Sequence, residues 1–200
     1  MLLVTNFLLI IVFYLIGSIP FALILTKLLG YGDIRNIGSG NVGATNVLRT
    51  GNKYLAFGVL CLDILKGFAP FIILNSFFDI NIFHLLFLCH FAIVGHIFPI
   101  WLKFKGGKGV ATYIGFLFGF NFFIGLTFLV TWITIALISK YSSLSSLVAS
   151  LVVPLYFFYI NSDNFVVIFL IYLFLLISLK HRENIKRLIS GAENKIKLFK

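Results

Sequence analysis

Long apolar runs separated by short polar connections set the pattern of this chain. Runs near 3–28, 54–74, 82–101, 110–120, 122–139, 144–160 and 165–180 are continuous rather than alternating, which predicts helices and not strands. Several lie near or above the roughly 18 residues that cross a bilayer, so the predicted fold is all-α: a polytopic transmembrane helix bundle with seven spans. A closed barrel would need the alternation that is missing here. The run at 110–120 is short, since about eleven helical residues reach only about 16 Å against a hydrocarbon core of about 30 Å. It predicts a broken or half-penetrating segment packed inside the bundle. Pro20, following Gly17-Ser18-Ile19, predicts a kink in the first span.

Composition agrees. Of 200 residues 60% are hydrophobic and the mean hydropathy is +1.09, against the roughly 45–50% apolar content of soluble domains. Residues 1–200 read as a single integral membrane domain without internal repeats or a soluble linker. The first run lacks a basic leader and a small-residue cleavage site, so it reads as a span rather than a removed signal peptide.

Charge gives a direction. The net charge of +10 resides in the connections and the tail, so it reads as a membrane topology signal and not as a nucleic-acid surface. Connections near 75–81, 120–122 and 161–164 contain no Lys or Arg, whereas 30–53 holds Arg35, Arg49 and Lys53, and 102–109 holds Lys103, Lys105 and Lys108. Retention of basic residues on the cytoplasmic side then puts the N-terminus outside and the tail from Lys180 to Lys200 inside. Such a chain needs an odd number of crossings. Two passes through 110–139, turning near Gly119 to Asn121, give seven and bring Lys140 and Ser143 to the cytoplasmic side. A five-span alternative, with 110–139 crossing once and 144–160 re-entrant, strands Lys140 outside.

Three polar segments carry candidate chemistry. In the first, 33–49, Gly38, Gly40 and Gly43 let backbone amides approach an anion, while Ser39, Asn41, Thr45 and Asn46 add neutral donors. A short helix starting near Asn41 would aim its N-terminus at the same anion and put Thr45 and Arg49 on one face. The bland reading is a glycine-rich connector with helix caps. In the second, Phe104-Lys105-Gly106-Gly107-Lys108-Gly109-Val110-Ala111-Thr112, two cations sit among three glycines before an apolar helix. It is no Walker loop, because Gly109 follows Lys108 and Leu102 stands where the first glycine belongs. Backbone amides entering a helix beside Lys108 can still cradle a phosphate. Ordinary lysines flanking a span are the alternative, and that suits Lys103 better than Lys108. In the third, 181–195, His181 and Asn184 share a helical face at i and i+3, although a basic amphipathic tail on anionic lipid explains most of the charge.

Minor features point elsewhere. Asp63 and Lys66, at i and i+3 inside the second span, read as a structural ion pair or a catalytic pair. His84, His90 and His96 turn about 240° per step on a helix, so they form no common metal face. Cys61 and Cys89 lie in apolar runs without a CxxC spacing or ligand set and read as buried inert thiols, which supports neither a disulfide framework nor a metal site. No cofactor is called for.

Taken together, GSIPF at 17–21, GSGNVGATNVLR at 38–49, FKGGKGVAT at 104–112 and HRENIKRLISGAENK at 181–195 closely resemble the bacterial acyl-phosphate:glycerol-3-phosphate acyltransferase family PlsY, from about residue 15 to 195. Val42 departs from the proline that many members carry there. The resemblance implies transfer of an acyl group from acyl-phosphate to the 1-hydroxyl of sn-glycerol 3-phosphate. The products would be 1-acylglycerol 3-phosphate (lysophosphatidate) and phosphate, in the first acylation of phospholipid biosynthesis. It also implies a multi-pass protein of the bacterial inner membrane, with its site facing the cytoplasm, membrane lipid around it, and a functional link to an enzyme that makes acyl-phosphate.

Carried over by motif position, Ser39, Arg49, Lys108, His181 and Asn184 are the expected catalytic set. Gly38, Gly40, Asn41, Thr45, Asn46, Gly106, Gly107, Ser143, Arg182 and Glu193 are expected to bind substrate. No histidine is followed by Asp five positions later, and no GxSxG elbow exists, so neither the HxxxxD acyltransferase box nor a serine-hydrolase nucleophile is present. The alternative from another class is a transporter of phosphorylated metabolites.

Overall fold

A computed structural model describes residues 2–161 and 163–196; Lys197 and Lys200 of the basic tail lie outside the described residues. Those residues form helices and no strand. In chain order they are α1 Leu2–Ser18, α2 Phe21–Leu28, α3 Ala44–Val47, α4 Lys53–Phe77, α5 Ile82–Cys89, α6 Phe91–Ile97, α7 Val110–Phe120, α8 Phe122–Ser139, α9 Ser142–Ile160, α10 Asn164–Lys180 and α11 Arg182–Ile189. Single 3₁₀ turns lie at Ile34–Asn36, Leu48–Thr50 and Ile100–Leu102. The contacts gather into two compact units, Met1–Phe120 and Asn121–Lys200.

The seven apolar runs are all helical. By length and apolarity four segments qualify as spans, with Ile82–Leu102 counted as one, and up to six do if each bent pair is a single span. One pair is α1 with α2, bent by 41° where Pro20 removes an N–H and drives Ile19 out of the helical region. Val110–Phe120 is short, as its eleven residues imply. It ends at Asn121, whose side-chain carbonyl accepts from the amides of Phe123 and Ile124 at 2.9 and 3.2 Å and so starts α8 as a separate helix. No glycine or proline announces the break between α5 and α6. It falls at His90, whose Nδ1 turns back to the Phe87 carbonyl.

Glycines let helices in the first unit meet backbone to backbone. A Cβ on Gly115 of α7 would lie 1.9 Å from the Ile64 carbonyl oxygen of α4, and one on Gly67 of α4 would lie 2.0 Å from that of Thr112. The same reciprocity joins α1 to α6: Gly17 abuts the Ala92 carbonyl and Gly95 the Tyr14 carbonyl, at 2.0 and 2.1 Å from a built Cβ. Small residues at such crossings are the means by which helices associate in lipid, where apolar burial drives nothing. Outward faces stay apolar, with Tyr54 91%, Phe77 78% and Leu3 85% exposed.

A compact apolar cluster fixes the first polar segment. Ile34, Val42 and Val47 of that segment are buried with Ala22 and Leu23 of α2 and with Leu55, Ala56 and Val59 of α4. Val42 is therefore an apolar anchor, which is what the position requires of a valine.

In the second unit α9 lies against both α8 and α10. Its buried face is polar but small, with Ser143, Ser145, Ser146 and Ser150 among the buried residues. Ser145 and Ser146 return their hydroxyls to the Tyr141 and Ser142 carbonyls. Trp132 of α8 donates to Ser146 Oγ at 3.0 Å.

Gly115→Ala should destabilise the protein by about 1–3 kcal/mol, because the added methyl must displace backbone rather than a flexible side chain. Gly58→Ala, on the same helix as Gly67 but with nothing within 4 Å, should be neutral or stabilising by roughly 0.5–1 kcal/mol. Thermal unfolding of both variants in detergent checks the contrast.

Candidate active site

In the first unit the polar segment at 33–52 is organised by one carboxamide. Asn46, 2% exposed, donates through Nδ2 to the carbonyls of Ile34 and Ile37 at 3.0 and 2.9 Å. Its Oδ1 accepts from the Ser39 amide at 3.0 Å, the Ser39 hydroxyl at 3.2 Å and Arg49 NH1 at 3.3 Å. Ser39 and Arg49 thus converge on one oxygen, and both are exposed at the surface of the loop. Gly38 makes this possible. Its φ is +57°, and a Cβ there would sit 2.5 Å from Arg49 Cδ and 2.6 Å from Asn46 Oδ1.

Two expectations for this loop need correction. The short helix begins at Ala44, not near Asn41, and runs only to Val47; Arg49 falls in the following 3₁₀ turn. A four-residue helix has too few aligned peptides for a useful terminal field, so side chains must do the work. Asn46, expected to bind substrate, spends its polar atoms holding the loop together. Asn41 and Thr45 lie at or near the surface, with Asn41 Nδ2 against Gly43. Gly40, at φ +69°, turns the chain and donates to the Ile37 carbonyl at 3.0 Å. Arg35 is committed elsewhere: its hydrogen bonds hold the Asp33 carboxyl down at about 2, and the pair closes at 2.5 Å.

The second polar segment leaves the turn at Ile100–Leu102 with Lys103 and Phe104 in the left-handed region, φ 51° and 62°. Non-glycine residues there store strain that the surroundings must hold. Two long-range bonds supply the hold: Trp101 Nε1 to Ser18 Oγ at 2.8 Å and Tyr14 OH to the Phe98 carbonyl at 2.6 Å. The Gly106 and Gly107 amides, expected to face a ligand, instead donate to the carbonyls of Ile97 and His96 at 3.2 and 3.1 Å. These are carbonyls left over at the C-terminal end of α6, so the loop caps that helix. Lys108 follows, half-buried, and Gly109 at φ +84° turns the chain into the first turn of α7.

In the second unit one carboxylate gathers three elements. Glu193 Oε1 accepts from Ser143 Oγ of α9 and from Asn184 Nδ2 of α11, both at 2.6 Å, while Oε2 accepts from Arg187 Nε at 2.7 Å. Burial pushes the Glu193 carboxyl up, but the bonds from Ser143, Asn184 and Arg187 outweigh it and the net shift is downward. The extended tail closes further when the Ile196 amide donates to the Lys140 carbonyl at 2.8 Å. Glu193, expected to bind substrate, thus accepts three hydrogen bonds that tie the tail to α9 and α11. The Ser143 hydroxyl and the Asn184 amide are engaged with it.

Arg182 is displayed at the surface beside Glu183. His181, 2% exposed, directs Nδ1 to the Ile177 carbonyl at 2.8 Å. That bond assigns the proton to Nδ1 and leaves Nε2 as the basic nitrogen of the neutral ring.

Of the expected residues, the fold brings Ser39 together with Arg49 in one unit, and Ser143 and Asn184 together with Glu193 in the other. Sequence reasoning misses Arg187 as the partner of Glu193 and the tie between Ser18 and Trp101, for which no local pattern gives a signal. The thiols differ from expectation: Cys89 is buried, but Cys61 is exposed on the apolar face of α4. Among the described residues no group of three or more His, Cys, Asp and Glu could hold a metal.

A helical integral membrane protein with glycine-shaped basic loops and no metal-binding cluster among its described residues is the class these features define. The family model described as glycerol-3-phosphate acyltransferase matches residues 7–191. A Pelagibacter ubique glycerol-3-phosphate acyltransferase is 54% identical over 187 residues, 93% of this chain and 95% of that protein. One from Mesorhizobium japonicum is 48% identical over 92% of each. The crystal structure of PlsY (YgiH), an integral membrane glycerol 3-phosphate acyltransferase, matches in its glycerol 3-phosphate form with a TM-score of 0.89 and 40% identity over 96% of each chain. Its lysophosphatidic acid form matches with a TM-score of 0.86 and 38% identity over 96% of this chain and 95% of that one. The chain belongs to the glycerol-3-phosphate acyltransferase family.

The lowered Glu193 carboxyl has a pH signature. Its contribution is complete above the ordinary value of 4.5 and is lost as pH falls through the lower folded value. Hydrogen exchange at the Ile196 amide should accelerate in that acid range, and Glu193→Gln should remove the pH dependence.

Proposed function

We propose that the protein transfers an acyl group from acyl-phosphate to the 1-hydroxyl of sn-glycerol 3-phosphate, releasing 1-acylglycerol 3-phosphate and inorganic phosphate as the first acylation of phospholipid biosynthesis. The observation that carries this reading is the convergence of Ser39 and Arg49 on Asn46 Oδ1 at the loop surface. A hydroxyl and a guanidinium held side by side by a buried carboxamide are groups that recognise a phosphate. Relatives named as glycerol-3-phosphate acyltransferases, and a PlsY structure in a glycerol 3-phosphate form, support the acceptor.

The donor is the one the motif resemblance implies, and its chemistry suits these groups. An acyl-phosphate is already activated, so direct attack by the glycerol hydroxyl needs no acyl-enzyme. The new bond joins the glycerol oxygen to the acyl carbon; the bond from that carbon to the phosphate oxygen breaks, and the hydroxyl proton is taken up. Arg49 and Lys108 supply positive charge for substrate phosphates and for the oxygen that gains charge as the carbonyl is attacked. Ser39 contributes a short, uncharged donor. Gly38 and Gly40 shape its loop, and Gly106 and Gly107 shape the approach to Lys108. Substrate phosphate, with a second pKa of about 6, is the base. The Nε2 atom of His181 is the protein-side candidate for that role, and Asn184 and Ser143 serve a ligand only by releasing or sharing Glu193.

The one-sided distribution of Lys and Arg supports a multi-pass protein of the bacterial inner membrane with these loops in the cytoplasm, supplied by an enzyme that makes acyl-phosphate.

The test uses purified protein with labelled glycerol 3-phosphate and three donors: acyl-phosphate, acyl-CoA and acyl carrier protein. Product from acyl-phosphate alone is expected, and product only from a thioester donor would overturn the donor assignment. Arg49→Ala should lower kcat/KM by about tenfold to a hundredfold, as loss of a charged hydrogen bond implies. His181→Gln should keep measurable turnover; retained affinities with turnover abolished would move the base to His181.

A further inference from the structure

A buried charged cluster in the first unit lies outside the groups assigned above. Asp63 and Lys66 sit mid-way along α4, 2% and 4% exposed, with Lys66 Nζ 2.7 Å from Asp63 Oδ1. The same ammonium donates to the Ile19 carbonyl at 2.9 Å, at the break between α1 and α2, and lies 5.5 Å from the centre of the Phe21 ring. Asp63 Oδ1 has a second neighbour, His96 Nδ1, at 3.7 Å. A carboxylate there favours the proton on Nδ1 and leaves Nε2 facing the other way.

The far side of His96 meets the glycine–lysine loop. A Cβ on Gly107 would lie 2.1 Å from His96 Nε2, and one on Gly106 would lie 2.2 Å from the His96 carbonyl oxygen, which itself accepts the Gly107 amide at 3.1 Å. Ring and backbone of one histidine thus mould the two residues directly before Lys108. Stability alone does not account for the charges. Replacing a buried ion pair by packed apolar residues of similar volume is often neutral or stabilising, and charges within a span are costly to keep.

We propose that His96 is a positioning residue for acyl transfer. Fixed by the buried Asp63–Lys66 pair, its imidazole sets the path of Gly106 and Gly107, and so the place of the Lys108 ammonium. This rests on the assignment of Lys108 to a substrate phosphate. Three elements enter the cluster, α4 through Asp63 and Lys66, the α1–α2 break through Ile19, and α6 through His96, so the loop inherits its position from the helices and not from its own short sequence.

The test is a double-mutant cycle in the full-length protein, with KM for both substrates and kcat measured separately. His96→Gln alone should raise KM for at least one phosphate-bearing substrate by about tenfold to a hundredfold while kcat changes much less, the scale expected of a misplaced binding group. In a Lys108→Met background the same substitution should change KM by less than about twofold, because its effect passes through Lys108. Asp63→Asn should reproduce the KM effect and add nothing to His96→Gln. Asp63→Leu/Lys66→Met, in which both charges go together, covers the case in which a single uncompensated charge prevents folding, and it too should raise KM. An unchanged KM in folded variants, or an equal effect of His96→Gln with and without Lys108, would overturn the proposal. Failure of the unmodified protein to acylate glycerol 3-phosphate from acyl-phosphate would instead strike the functional reading.

Discussion

Where α4 and α7 touch, neither helix has a side chain in the way. Gly67 and Gly115 each receive a carbonyl oxygen of the partner at a distance no Cβ would permit, and Gly17 and Gly95 do the same for α1 and α6. In lipid this closeness replaces the hydrophobic drive that holds soluble helices together, because it maximises dispersion contacts between backbones. The rest of the first unit depends on it. Asp63 lies one residue before the Ile64 carbonyl that meets Gly115, and Lys66 directly precedes Gly67, so the buried charges are placed by the same contact. The second polar loop is then fitted onto the end of α6, which α1 has already located.

Both polar loops of the first unit are built inward before they can act outward. The Asn46 side chain commits both polar atoms to five hydrogen bonds with four residues, and the Gly106 and Gly107 amides close the end of α6. On the proposed reading a ligand meets side-chain chemistry on a rigid frame, with Ser39 and Arg49 on one loop and Lys108 on the other. Such a division suits an enzyme whose substrates bring their own reactivity. The protein must hold anions still, and strain at Lys103 and Phe104 is tolerable because Trp101 and Tyr14 pin the neighbouring turn.

Much of this was legible in the residues. The seven apolar runs all became helices because a helix satisfies its own backbone in lipid, and Pro20 marked the break in the first run, although Pro70 and Pro154 lie inside α4 and α9 without ending them. The His90 break carried no such mark; its histidine turns onto a carbonyl three residues back, which depends on local geometry and not on residue type. Within the candidate site, Ser39 and Arg49 were both named by motif position, but their convergence on Asn46 was not legible, because the local pattern pairs Arg49 with Thr45. The inward hydrogen bonds of Asn46 were not legible, since an asparagine among glycines looks the same whether its carboxamide faces in or out. For Ser143 and Asn184 the unread feature was their shared acceptor. Their acceptor, Glu193, follows Ser143 by 50 positions, and no local pattern links residues so far apart.

That separation has a consequence for synthesis. The carboxylate of Glu193 comes later in the chain than Ser143, Asn184 and Arg187, so none of the three can reach its partner until translation has passed residue 193. A nascent or prematurely terminated product would hold a buried carboxamide and a guanidinium with no acceptor, and its last helix would be loosely seated. The bonds that join α9 and α11 to the tail therefore close last, after both helices have been made.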